Sequence, residues 1–453
     1  MTDDALPLKM EIASPDGRRM HVTCFDVLRD LGKTRRVYRA LWEDRPIIVK
    51  VFTKWPKAGY HAFREWRGLR QLETRGLNTP TPLFCGRIPN GWAVVTERIE
   101  NAVTAGELWD RLDTVEHKAG LLARIGRQLA RQHLLGVIQS DLHLGNFLVR
   151  GEEIFILDPA MIHFRTREVD RRRSLQQVVV LASNLPSTAP AAIETVFHEY
   201  AAARSWTISA RECGQMHNAL ERRRKSGVER GLRKSLRTNR RHQAIRHGSW
   251  RGLAERLFLQ AAGIDGLTTG LEEALSRGRI LKDGKTSFVS HTTLGGRDIV
   301  IKRYNHQGLF HSLRHTLRGS RAKRSWSNAN RLCLLEIATP RPLAYVDEYR
   351  GPLLWRSYFI TEFTRGPRLR SVLAQDDVPR EQKQQLMEQM VRLIDRLAGH
   401  GISHGDLKHS NILITAAGPA LTDLDAMRVC RLGWIRRRRQ ARDLARFAGS
   451  RAD

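Results

Sequence analysis

Ser140-Asp141-Leu142-His143-Leu144-Gly145-Asn146 and His404-Gly405-Asp406-Leu407-Lys408-His409-Ser410-Asn411 are the stretches from which the fold can be read. In each, an aspartate is followed five residues later by an asparagine, and a further aspartate, Asp158 or Asp423, stands 12 residues beyond that asparagine. Working outward, Glu97 and Glu362 precede the loop aspartates by 44 residues in both cases. Before them, Thr79-Pro80-Thr81-Pro82-Leu83 answers Thr339-Pro340-Arg341-Pro342-Leu343, and Arg64-Glu65-Trp66 answers Arg324-Ser325-Trp326. Lys50 and Lys302 each lie 17 residues after the lysine of a Gly-Lys-Thr turn, Gly32-Lys33-Thr34 or Gly284-Lys285-Thr286. So many intervals kept in one order mark an internal duplication, and the chain reads as two homologous domains in tandem.

Local patterning predicts the same plan in each copy. β-Branched and aromatic runs at 37–42, 47–52 and 92–96 surround a helical stretch at about 61–75, as a small β-rich lobe requires. A mainly helical part follows. Leu121, Leu122, Ile125, Leu129 and Leu134 recur at helical spacing before Gly136, as Leu386, Met390, Leu393, Ile394 and Leu397 do before Gly401, and each helix leads into an aspartate loop. The fold class expected is α+β, with two bilobal domains.

The repeated residue types suit one chemistry. Moving a γ-phosphoryl group takes charge neutralisation on the triphosphate, metal ions, and a carboxylate that orients the attacking hydroxyl. Lys50 and Lys302, beside apolar strand runs, are placed to reach phosphates. Asn146 with Asp158, and Asn411 with Asp423, offer hard oxygen ligands for Mg²⁺. Asp141 and Asp406 are the candidate bases. The interval between asparagine and second aspartate accommodates a short hairpin (147–157; 412–422) that returns the aspartate to the metal.

At these residues the sequence resembles the protein-kinase-like superfamily. Residues 404–411 are similar to its catalytic loop, and 140–146 resemble the version found in aminoglycoside and other small-molecule kinases. The run Leu281-Lys282-Asp283-Gly284-Lys285-Thr286-Ser287, with Lys302-Arg303-Tyr304, Ser320-Arg321-Ala322 and Ala338-Thr339-Pro340-Arg341-Pro342, is similar to the Kdo/heptose lipopolysaccharide kinase family. The resemblance implies tandem protein-kinase-like domains, ATP and Mg²⁺ as cofactors, and a heptose or Kdo hydroxyl of the lipopolysaccharide core as acceptor in a bacterial cell. A protein or other small-molecule kinase, and a membrane-associated pseudokinase scaffold, are the alternatives. It also implies that Glu65, 15 residues after Lys50, pairs with that lysine. Glu97 and Glu362 become hinge residues whose backbone, not side chain, faces adenine. The turns Gly32-Lys33-Thr34 and Gly284-Lys285-Thr286 are assigned to the nucleotide, although neither is a full glycine-rich loop.

The copies also depart from the pattern. The second has Ser325 where the first has Glu65, so either another carboxylate substitutes or Lys302 is held differently. The first has Gln139 where the second has His404. Asp158-Pro159-Ala160 and Asp423-Leu424-Asp425 lack the glycine of switchable protein kinases, so control by a flipping loop is not indicated.

Composition sets the outer bounds. With 77 basic and 47 acidic residues the 453-residue chain carries +30, a field that favours anionic partners. The basic segment running from Glu221 through Arg241, and a second cluster at Arg436–Arg439, suggest contact with the lipopolysaccharide core glycolipid and an anionic inner-membrane surface. Without aromatic interleaving or a reading motif, specific nucleic-acid recognition is not expected. Five scattered cysteines without CxxC suggest neither zinc nor a disulfide framework. The absence of a basic-then-apolar start and of long apolar runs points to a cytoplasmic, at most peripheral, protein. The boundaries expected are a first domain at 1–245 with a basic helical extension, a linker at 246–270, and a second domain at 271–453. Only 30 residues follow Asp423, so the second C-terminal lobe reads as short, which favours a small or glycan acceptor.

Overall fold

The computed structural model describes residues 6–32, 34–53, 56–186, 190–305, 319–430 and 432–450, so Lys33 of the first Gly-Lys-Thr turn lies outside the described residues. The fold is mixed α and β, divided into two compact units, Met1–Arg224 and Lys225–Asp453.

In the first unit β1 (Leu8–Ala13), β2 (Arg19–Asp30), β3 (Arg35–Trp42), β4 (Arg45–Phe52), β5 (Pro82–Ile88) and β6 (Gly91–Glu97) close into a barrel in the order β1-β2-β3-β4-β6-β5. Strand periodicity explains what the barrel does with its residues. Ile47, Val49 and Val51 of β4 join Tyr38, Ala40, Ala93 and Val95 in the interior. The alternate residues Lys50 and Phe52 leave by the other face, where Phe52 meets α1 (Ala58–Thr74) through Ala58, Ala62 and Leu69. The side that receives α1 is therefore also the side that presents Lys50.

The rest of this unit is largely helical. Helices Val115–Leu134, Arg171–Ser183 and Pro190–Ala203 share a core built on Leu122, Ile125, Leu129, Leu181, Val196 and Tyr200. Thr114 opens the first of these helices, its side chain accepting the His117 N–H at 3.2 Å. Gly136 follows its end with φ +71°, and a Cβ there would stand 2.5 Å from the Arg165 carbonyl, so glycine lets the chain turn at once into strand Val137–Gln139 and the Asp141 loop. Hairpin Phe147–Arg150 with Glu153–Ile156 then brings the chain back to Asp158.

In the second unit seven strands form one sheet in the order His242–His247, Trp250–Glu255, Pro342–Arg350, Leu353–Glu362, Arg297–Tyr304, Ser287–Leu294, Arg279–Gly284. The last five repeat the adjacency of β5, β6, β4, β3 and β2. Helix Arg321–Leu334 answers α1, and helix Arg380–Gly399 leads through Gly401 to the Asp406 loop, as expected.

Two boundaries expected from the sequence are corrected here. The division falls between Arg224 and Lys225, not at 245, and residues 246–270 are not a linker. Strands His242–His247 and Trp250–Glu255 pair as a hairpin and extend the sheet along Pro342–Arg350. Ile245, Leu253, Phe258 and Leu259 are buried, while Arg246 and Arg251 point outward. The basic outer residues gave the segment its linker-like composition, and only two or three inward residues carry the packing. Among the described residues no helix is long and apolar enough to cross a membrane.

Candidate active site

In the first unit the Lys50 ammonium donates to Glu65 on α1 and to Asp158 Oδ1, the latter at 2.6 Å. Burial pushes the Lys50 pKa down, but Glu65 and then Asp158 outweigh it and hold the amine above its usual value. Burial likewise raises Asp158, and the charge and hydrogen bond of Lys50, with the charges of Arg35 and Arg29, together more than offset it, so the carboxyl sits below the usual range. Both directions describe one ionised cluster. Arg35 adds a cation 3.6 Å from Asp158.

Backbone geometry aims Asp158 at this cluster. Its φ is +52°, a left-handed conformation uncommon for any residue but glycine and one that aspartate and asparagine adopt more readily than most, and Pro159 follows. The turn lies against α1 so closely that a Cβ on Gly68 would stand 2.7 Å from Pro159 Cβ. Nearby, Asn146 is buried and its amide donates to the Asp141 carbonyl at 2.6 Å, which leaves its Oδ1 as the atom free to ligate. The Leu157 N–H donates to the Asn146 carbonyl at 2.8 Å, tying the asparagine to the strand that delivers Asp158. The Asp141 carboxylate is 63% exposed, with His143 Nε2 at 3.7 Å. Gln139 turns inward to Gln132 Oε1 at 2.8 Å, so it supports the preceding helix rather than the loop.

The second unit repeats the arrangement with different supports. Lys302 donates to Asp423 Oδ1 at 2.5 Å, and Asp423 has φ +59°. Among the described residues no carboxylate takes the place of Glu65: Ser325 instead meets the Tyr304 hydroxyl at 2.8 Å, and Lys302 lies 4.9 Å from the centre of the Tyr304 ring. Of the two options left open by the sequence, the lysine is held differently. Asp425 is occupied by Arg321 at 2.6 Å. Burial lowers Lys302, but Tyr304 and Asp423 more than compensate, so its pKa is raised. Asp423 is held well below the usual carboxylate range, its burial outweighed by Lys302 and Asp425.

Here the loop aspartate itself is gripped. Asn411 Nδ2 donates to the Asp406 carbonyl at 2.9 Å and to its Oδ2 at 3.0 Å, and Lys408 Nζ stands 3.1 Å from the same oxygen. The Asp406 carboxylate is 37% exposed. His404 reaches the Thr422 carbonyl at 3.0 Å through Nε2, and burial keeps its ring pKa below the ordinary value. Asp443 accepts the N–H groups of His404 and Gly405 at 2.8 and 2.9 Å. Gly405 has φ +82° and a Cβ there would lie 2.6 Å from the Ala426 carbonyl, so the loop passes where only glycine fits. Sequence reasoning missed Asp443. The signal was available, since it is the sole acid in an arginine-rich stretch from 426 to 450.

Other expected site residues have their own partners. Glu97 pairs with Arg45 at 3.0 Å, and Glu362 with Arg341 at 3.4 Å and Arg297 at 3.6 Å, while their backbone N–H groups serve Thr81 and Arg341 carbonyls. A cavity of about 480 Å³ is lined by Arg45, Glu97, Arg98, Arg150 and Phe155 among others, but not by Lys50, Asp141, Asn146 or Asp158. The described residues of the Gly-Lys-Thr turns have hydrogen-bond partners of their own. Gly32 N–H donates to Asp30 at 2.6 Å, Thr34 to the Leu31 carbonyl at 2.9 Å, and Asn305 spans Gly284, Lys285 and Thr286. No hydrogen bond among the described residues joins either turn to Lys50 or Lys302.

In both units a buried lysine is paired with the aspartate that follows the hairpin, and the residue before that aspartate is hydrogen-bonded to the carbonyl of the loop asparagine. The side-chain oxygens of that aspartate and asparagine are hard donors of the kind Mg²⁺ takes, and the lysine offers a fixed positive charge for phosphate. Comparison with known proteins agrees with this chemistry. A 3-deoxy-D-manno-octulosonic acid kinase from Vibrio vulnificus is 31% identical over 112 residues, 24% of this chain and 45% of that protein. A probable bifunctional tRNA threonylcarbamoyladenosine biosynthesis protein from Methanothermobacter thermautotrophicus is 27% identical over 167 residues, 35% of this chain and 29% of that protein. An EKC/KEOPS complex subunit BUD32 from Encephalitozoon cuniculi is 27% identical over 108 residues, 24% of this chain and 50% of that protein. The chain thus spans half or less of the length of these relatives. The sequence model for the lipopolysaccharide kinase (Kdo/WaaP) family matches residues 10–185 and 277–452, one stretch in each unit. With most of its length matched, and matched twice, the chain belongs to the Kdo/WaaP lipopolysaccharide kinase family.

Proposed function

We propose that the protein is an ATP- and Mg²⁺-dependent kinase that phosphorylates a sugar hydroxyl, that of heptose or Kdo in the lipopolysaccharide core, at the cytoplasmic face of the inner membrane. The observation that carries this reading is the ion pair between a strand lysine and a left-handed aspartate, formed in both units beside an Asp-to-Asn loop. In this reading the strand-rich and helical parts of each unit are the two lobes around a nucleotide. The family match and the Kdo kinase relative support the sugar acceptor.

Bound MgATP supplies the phosphoryl group and neutralises its charge. The protein supplies position. Lys50 or Lys302, kept protonated by its carboxylates, presents a fixed charge to phosphate. Asn146 and Asp158, or Asn411 and Asp423, hold the metal through oxygen. Asp406, its second oxygen occupied by Asn411 and Lys408, is left with Oδ1 to accept the acceptor's O–H hydrogen bond and then its proton, as the sugar oxygen bonds to phosphorus and the bond from that phosphorus to ADP breaks. We assign transfer to the second unit on this grip, because Asp141 has no comparable one; both units retain a phosphate-binding lysine.

The test is incubation of the purified protein with γ-labelled ATP and either purified core glycolipid or total cell protein. Label in the glycolipid is expected. Label confined to protein rejects the sugar acceptor.

A further inference from the structure

Helix Gly433–Gly449 has two contrasting faces. Inward, Asp443 and Phe447 are buried, Asp443 holds the His404 and Gly405 N–H groups, and Arg446 reaches the Gly405 carbonyl. At 100° per residue, Trp434, Arg438, Ala441, Ala445 and Ala448 fall on one stripe opposite Asp443, flanked by Arg437 and Leu444 on one side and Arg442 on the other. All eight are exposed. Trp434 is 62% exposed and Leu444 49%, and Leu432, just before the helix, is 57% exposed. The helix's one acid is the residue that turns inward. A stripe of tryptophan, leucine and alanine bordered by arginine, without an outward acid, has the make-up of a helix that lies in a lipid interface.

The longer basic helix, Ala210–Ser235, lacks this make-up. Its Met216, Leu220 and Leu232 are buried, and Arg224 is engaged with the Leu185 and Pro186 carbonyls. It offers charge without an apolar face.

We propose that the outer face of Gly433–Gly449 docks on an anionic lipid bilayer, so that the loop carrying Asp406, which the inner face of the same helix holds, is set at the lipid surface. Charge selects the occupant. Arg437, Arg438 and Arg442 face outward with the apolar residues on a protein of net charge +30. The inference rests on the membrane-facing reading above and names the surface responsible.

Flotation of the full chain with vesicles tests it. Vesicles of phosphatidylglycerol in phosphatidylcholine should carry the protein, and vesicles of phosphatidylcholine alone should not. Replacing Arg437 and Arg438 by glutamine should lower partitioning by about thirtyfold, since each surface arginine near an anionic membrane is worth roughly a factor of five. Trp434→Ala with Leu444→Ala should lower it by at least about tenfold, because an interfacial tryptophan and leucine lose their apolar burial. Arg222→Gln with Arg223→Gln, on the other helix, should change it less than about twofold. Unchanged partitioning in both Gly433–Gly449 variants overturns the proposal, as does a nucleic acid that displaces the protein from vesicles through the same residues. Phosphoryl transfer to a detergent-dispersed acceptor is read in parallel. Vesicle binding that depends on this helix in a protein with no transfer sinks the kinase reading and leaves the docking face standing, whereas intact transfer without helix-dependent binding does the reverse.

Discussion

Asparagine in place of Asp406 is expected to lower the rate of phosphoryl transfer by about 10²–10⁴-fold, the range of a positioned general base, with little change in the melting temperature of the second unit. The substitution keeps shape and keeps an oxygen for the Asn411 and Lys408 hydrogen bonds, but it removes the charge and the proton acceptor. The loop backbone is held independently by Asp443, so the peptide path survives. Asp141→Asn should cost less than about tenfold, because that carboxylate is largely in solvent and, among the described residues, its ion-pair neighbour is His143 alone. Single-turnover transfer of labelled phosphate measures both. A large loss with Asp141→Asn and none with Asp406→Asn would move the transfer site to the first unit. No loss in either, or in the double variant, would leave a nucleotide-independent scaffold as the better description.

The second large effect is on stability. Among the described residues Lys50 is the only cation bonded to the buried Glu65 and the nearest one to Asp158, so Lys50→Met should destabilise the first unit by about 3–5 kcal/mol, the usual cost of leaving a buried charge without its partner. Adding Glu65→Gln should recover more than half of that loss, because the stranded charge is then gone. Lys302→Met should cost the second unit clearly less, roughly 1–3 kcal/mol, since Ser325 carries no charge and only Asp423 loses its ion-pair partner. Denaturant unfolding, with the two transitions followed separately, checks all three. Equal losses from Lys50→Met and Lys302→Met would contradict the difference drawn here between the two lysine environments.

Residue spacing made much of this site legible, for a physical reason. The five-residue and 12-residue intervals are the lengths of a loop and a hairpin, so they survive as fixed distances along the chain even where side chains differ. Glu65 was legible because α1 stands at a set distance after β4. What escaped depends on contacts distant in sequence. Asp443 is 39 residues beyond His404, the N–H group it holds, and no local pattern links them. Tyr304 reaching Ser325 turns the apparent defect of a missing glutamate into a different support, visible only once β strand and helix are packed together. The hairpin His242–His247 with Trp250–Glu255 hid behind its basic outer face, because composition averages over both faces of a strand while burial does not. Glu97 and Glu362 show the limit of matched position: their partners Arg45 and Arg297 lie outside the matched motifs, and Arg341, inside one, stands where the first unit has Thr81.

Mass analysis of the core oligosaccharide from cells with and without this protein reads the reaction product and the acceptor together. The expected result is a phosphate present on a heptose or Kdo residue in the first sample, missing in the second, and restored by the intact chain but not by Asp406→Asn. Identical phosphate content in all of these cells would contradict the claim that this chain phosphorylates a core sugar.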